Sequence, residues 1–132
     1  MGKSMKNENE AIIRDEELRW LLNAIQEVAK TGIRPDGLYW RASYTPEDAA
    51  AVALLKSYME QAGMRVFFDA VGNLHGVLQG KSEQVIMAGS HRDTVRSGGK
   101  YDGMLGILSA ICSAGRLYQR LGQPEKTLEV VA

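Results

Sequence analysis

A histidine and two aspartates stand close together in a polar, glycine-rich stretch: His91, Asp93 and Asp102 all lie between Ser90 and Gly103. Imidazole and carboxylate together suit zinc, manganese, cobalt or nickel, and a carboxylate has two oxygens with which to bridge two ions. His91 and Asp102 are therefore the candidate metal ligands. Asp93 follows His91 by two residues, on the same side of an extended segment. It is placed to accept the second imidazole N–H and fix the ring. Each residue alone has a plainer reading. A histidine near a strand end is commonly a hydrogen-bonded structural group, and an aspartate ahead of a helix is commonly its cap. Two other chemistries fail on geometry. Ser90 and His91 are neighbours and point to opposite faces of an extended chain, so they cannot form a nucleophile–base pair. Gly99-Lys100 lacks both the glycine and the hydroxyl that a phosphate loop requires, because Thr94 and Tyr101 occupy those positions.

The elements flanking this stretch explain why it could work. Val85 to Gly89 is a five-residue apolar run, which predicts a buried strand. From Met104 the apolar period changes to that of a helix, with Met104, Ile107, Leu108, Ile111, Ala114, Leu117, Tyr118 and Leu121 on one face. Gly122 and Pro124 end it. Thr127 to Ala132 reads as a second strand. Strand, loop, helix and strand make a βαβ unit with parallel strands and a right-handed crossover. In open parallel sheets ligands sit beyond the carboxyl ends of the strands, where the loop from Ser90 to Gly103 lies. The last strand stops at Ala132, where residues aimed at the same edge would begin, so the sequence is expected to be a fragment of a longer protein.

Upstream, residues 1–14 are expected to form a disordered or extended tail. Asp15 to Lys30 predicts a helix with Leu18, Leu21, Leu22, Ile25, Val28 and Ala29 inward, closed by Gly32. Residues 31–44 form an irregular connection with turn signals at Pro35 and Gly37. Thr45, Pro46, Glu47 and Asp48 announce a second helix, through a cap, a first-turn proline and acids at the positive dipole end. It runs to about Ala62. Met64 to Asp69 and Leu74 to Leu78 read as strands separated by a turn at Gly72-Asn73. His75 lies in the second of these strands without partners that would make a site. Trp20, Trp40, Tyr39 and Tyr44 read as packing residues. The order is α-α-β-β-β-α-β: an α/β fold with a mixed sheet, residues 15–132 forming one unit.

Composition narrows the function classes. The formal net charge is zero over 132 residues with basic residues scattered, which argues against nucleic acid or an anionic membrane as partner. The single cysteine, Cys112, permits no intrachain disulfide and reads as a small buried hydrophobe in a reducing compartment. No run reaches membrane-spanning length and the polar first ten residues lack a signal-peptide core, so a cytoplasmic location is expected.

The paired segments Gly89-Ser90-His91-Arg92-Asp93-Thr94-Val95 and Gly98-Gly99-Lys100-Tyr101-Asp102-Gly103-Met104-Leu105-Gly106 resemble the metal-binding segment of the dinuclear-metal amidohydrolases. The branch is that of allantoate amidohydrolase and N-carbamoyl-L-amino-acid hydrolase, related to the zinc aminopeptidases. The resemblance extends through Tyr44-Thr45-Pro46-Glu47-Asp48, Met59 to Met64 and Asp69 to Leu74, nearly everything after residue 14. It implies the N-terminal portion of a zinc-aminopeptidase-like catalytic domain, with His91 as ligand of one metal, Asp102 bridging both, and Asp93 orienting the histidine. It also implies two divalent ions (zinc, or manganese, cobalt or nickel), a small ureido or amide substrate, and a homodimer when full length. In such enzymes a metal-bridged water attacks the amide carbonyl and a carboxylate base takes its proton. That acidic pair and the remaining ligands follow the strand ending here at Ala132, so the 132-residue chain alone is expected to be inactive. Arg92 stands where the family more often has an apolar residue. The alternatives are a peptidase of the same superfamily, or a non-catalytic module associating through an exposed final strand.

Overall fold

The computed structural model describes the backbone of residues 2–132 and the side chains of residues 16–132. Seven elements appear in the predicted order: α1 (Gly2–Ala29), α2 (Pro46–Gln61), β1 (Arg65–Phe68), β2 (Leu74–Leu78), β3 (Val85–Gly89), α3 (Met104–Leu121) and β4 (Thr127–Val131). The strands form one mixed sheet in the order β1-β2-β4-β3. β1 and β2 pair antiparallel, as do β2 and β4, while β3 and β4 run parallel around the α3 crossover.

The core lies between the helices and one face of this sheet. Ile25 and Val28 of α1, Leu55 and Met59 of α2, and Ile107, Leu108 and Ile111 of α3 pack with Leu74, Leu78 and Val130 from the strands. Trp20 meets Tyr58 edge-on, with ring centroids 5.5 Å apart, and closes the seam between α1 and α2. α2 begins as its sequence requires: the Thr45 hydroxyl accepts from the Asp48 N–H at 3.3 Å, and Pro46 fills the first turn.

Four expectations are corrected. Backbone helix extends from Gly2, where residues 1–14 were expected to be a disordered or extended tail; that stretch holds no proline and one glycine at its start, so nothing in it breaks a helix nucleated further on. Met1 lies outside the described residues. On α1, Leu18 and Leu22 are exposed because the helix packs chiefly on α3, and its buried stripe narrows to Ala24, Ile25, Val28 and Ala29. On α3, Leu117, Tyr118 and Leu121 are exposed, burial ending at Gly115. β3 is not a buried strand. Among the described residues it is the sheet edge, with Val85, Ile86 and Met87 48%, 54% and 61% exposed, whereas the final strand β4 is interior. The exposed edge expected at β4 therefore belongs to β3 and β1.

The face of the sheet away from the core carries a polar group that the sequence reading passed over. His75 Nδ1 lies 2.6 Å from Glu129 Oε1 and Nε2 lies 3.4 Å from Asp69 Oδ2, with the ring stacked on Phe67 at 4.8 Å. Asp69 also caps its own turn, accepting from the Asn73 side chain at 2.7 Å and backbone at 2.9 Å. These Asn73 bonds, with His75 and Val71 adding to them, hold its pKa down to about 2. Burial pulls the His75 pKa down, but hydrogen bonds and charge attraction from Glu129 and Asp69 outweigh it and raise the pKa above its ordinary value. No helix among the described residues is long and apolar enough to cross a membrane.

Candidate metal centre

β3 and β4 run parallel, so both deliver their carboxyl ends to the same edge, where the chain leaves β3 through Ser90 into the loop. His91 is the second residue past the strand. Its Nδ1 lies 2.8 Å from the carbonyl oxygen of Asp93. A carbonyl only accepts, so Nδ1 carries the hydrogen and Nε2 is the atom left to bind something else. The expected orienting contact thus comes from the Asp93 main chain. The loop bends so that this carbonyl arrives first, and the carboxylate Oδ1 stands 3.5 Å from Nδ1.

Asp102 comes from the other end of the loop, and its Oδ1 lies 3.3 Å from His91 Nε2. It is not a helix cap. The residue in the cap position of α3 is Gly103, and no side chain caps the helix. Gly103 lets this approach happen. Its φ is 78°, and a Cβ there would overlap the His91 carbonyl and sit 2.6 Å from the ring carbon Cε1. The two candidate ligands are half exposed, 50% and 62%, and face solvent at the sheet edge.

Two donors bound to tetrahedral zinc at about 2.1 Å each stand roughly 3.4 Å apart, so the observed 3.3 Å is a spacing that one ion fits. The pair amounts to two donors only: among the described residues no group of three or more His, Cys, Asp or Glu side chains that could hold a metal is present.

The loop is anchored by residues that sequence reasoning did not single out for this role. Arg92 points away from His91, as an extended chain demands. Its Nε donates to Asp48 Oδ1 at 2.8 Å, its Nη2 to Oδ2 at 3.3 Å, and its Nη1 to the carbonyl of Ala132 at 2.9 Å. Both partners of this ion pair are largely buried, with side-chain exposures of 13% and 4%. Asp48, read from sequence as a dipole residue, is thus also a buried counter-ion. Arg41, fully buried, donates from Nε to the carbonyl of Arg92 at 2.9 Å, while its backbone N–H donates to the Thr94 hydroxyl at 2.9 Å. The Thr94 N–H returns a bond to the Arg41 carbonyl at 2.8 Å. The available signals were an arginine at an apolar position in the motif and another amid the aromatic residues of the 31–44 connection.

Comparison with known proteins agrees with this architecture. No family model matches the chain. It is 42% identical over 110 residues to an allantoate amidohydrolase of Bacillus subtilis, covering 82% of this chain and 27% of that protein. It is 40% identical over 93 residues to an N-carbamoyl-L-amino acid amidohydrolase of Geobacillus stearothermophilus, covering 69% of this chain and 23% of the relative. Among solved structures, a hydantoinase/carbamoylase family amidase from Burkholderia ambifaria superposes with a TM-score of 0.80 at 31% identity, covering 86% of this chain and 28% of that one. The chain spans about a quarter of the length of these relatives.

Proposed function

Since the chain is a relative of the allantoate and N-carbamoyl-L-amino-acid amidohydrolases, we propose that it forms the part of a metal-dependent hydrolase of linear C–N bonds that brings His91 and Asp102 to the metal centre. The observation that carries the reading is the convergence of His91 Nε2 and Asp102 Oδ1 at 3.3 Å, on a sheet edge made by two parallel strands. His91 is the neutral donor, its proton held on Nδ1 by the Asp93 carbonyl. Asp102 is the anionic donor, with a second oxygen free to reach a second ion. Asp93 holds the ring in place, through its carbonyl first and through the charge of its carboxylate at 3.5 Å. His91 and Asp102 would take part in holding two divalent ions, zinc or one of manganese, cobalt and nickel, which would supply Lewis acidity and a more acidic water. The substrate is a small ureido or amide compound of the kind the relatives are named for, allantoate or an N-carbamoyl amino acid. Those names favour it over a peptide. The whole protein is a cytoplasmic homodimer, and the two donors found among the described residues are too few to make this segment active by itself.

A chimera tests this. The matching 110 residues of the Bacillus subtilis relative are replaced by those of this chain, and ammonia release from allantoate and from N-carbamoyl amino acids is assayed. The expected result is metal-dependent activity that His91→Ala or Asp102→Asn lowers by at least about a hundredfold. A folded chimera whose activity ignores both substitutions would remove these residues from the reaction.

A further inference from the structure

We propose that Arg41 and Arg92 are positioning residues for the metal pair, two buried guanidiniums that together anchor residue 92, between His91 and Asp93, and so hold His91 against Asp102. The inference rests on the metal-binding reading of those two residues.

A buried guanidinium is costly unless its charge is met. Arg41 is fully buried, yet among the described residues it forms no ion pair. Its head is met by neutral groups: the Arg92 carbonyl at 2.9 Å, the Thr31 hydroxyl at 3.1 Å, the Tyr39 hydroxyl at 3.2 Å and the Tyr39 ring, 5.8 Å from Cζ to the centroid. Among the described residues its Nη2 has no hydrogen-bond partner. An apolar side chain would fill the same space without desolvating a charge. What the guanidinium does that an apolar group cannot is fix peptide units at defined positions. Nε holds the Arg92 carbonyl, one residue past His91. The bonds to Thr94, one residue past Asp93, come from the Arg41 main chain and do not depend on its side chain.

Arg92 fixes the same peptide from the other side. Its fork spans Asp48, at the first turn of α2, and the Ala132 carbonyl, just past β4. The loop is therefore tied to a helix start, a strand end and the 31–44 connection at once. The His91 ring, which meets the Asp93 carbonyl and carboxylate, the Asp102 carboxylate and the packed Gly103, sits on that backbone. Neither arginine touches the space between His91 and Asp102, so both act through position.

The test uses the 132-residue chain, with zinc alone as the probe. Without metal, the contact between the His91 ring and Gly103 predicts a strong nuclear Overhauser effect from His91 Hε1 to Gly103 Hα. With zinc, the His91 ring resonances shift and give an affinity. Three variants are compared: Arg41→Lys, which keeps the charge but loses the fork; Arg92→Lys, which keeps Asp48 but releases Ala132; and Arg92→Leu with Asp48→Asn, which removes the buried charges together. Cross-strand Overhauser contacts of the sheet report that the fold is intact. The expected result in the folded variants is a weakened His91–Gly103 contact and zinc affinity reduced by about tenfold or more. Unchanged contact and affinity in folded variants would overturn the proposal, as would absence of the contact in the wild type. A wild type that shows the contact, loses it in the variants, yet never responds to zinc would leave the clamp standing and remove the metal reading instead.

Discussion

At Gly103 the backbone turns at φ 78° directly after Asp102, and the His91 ring packs where a Cβ would stand. Gly103→Ala is expected to cost about 1–2 kcal/mol from backbone strain alone, read by urea unfolding, and to abolish the zinc response of His91 by pushing its ring away. His75 offers a second test at this scale. Its folded pKa lies above the unfolded value of 6.5, so the stability it contributes is complete below that pH and is lost as pH rises through the folded pKa. Asp69 behaves oppositely: its contribution is complete above the unfolded value of 3.8 and fades as pH falls toward about 2. His75→Gln should therefore destabilise the chain more at about pH 5.5 than at about pH 8.5 in urea titrations; an equal loss at both would show that the ion pairs carry no weight. The approach of His91 to Asp102 was legible in sequence because their residue types and their place between strand and helix are local facts. The arginines and the His75 group were not, because the partners that set their roles, the Arg92 carbonyl, Asp48, Ala132 and Glu129, lie 40 or more residues away and depend on strand order.

Among the elements, existence and order were readable throughout, since periodicity changes sharply at Val85 and at Met104. Burial was readable only where two elements cover a residue. An apolar run such as Val85 to Gly89 carries no mark that tells an edge strand from a central one, and here the edge is what it forms. The consequence is measurable. Leu108→Ala, at 0% exposure, should cost about 2–5 kcal/mol, whereas Ile86→Ala, 54% exposed, should cost under about 1 kcal/mol. Equal costs would mean that β3 is covered in solution. The tie between α2 and the loop has its own signature. Asp48→Ala leaves the Arg92 guanidinium buried and unpaired and should destabilise by about 3 kcal/mol, while Arg92→Leu with Asp48→Asn should recover most of that.

For the molecule as a whole, four strands and three helices serve to bring a residue from each end of one loop together at the carboxyl edge of two parallel strands. The most direct test of that arrangement is paramagnetic: manganese is added at substoichiometric amounts to the 132-residue chain and the broadening of each resonance is followed. Broadening centred on His91 and Asp102, absent at the His75–Glu129–Asp69 group and abolished by His91→Ala or Asp102→Asn, is the predicted result. Broadening that is uniform, centred on His75, or indifferent to both substitutions would contradict a metal site at this loop.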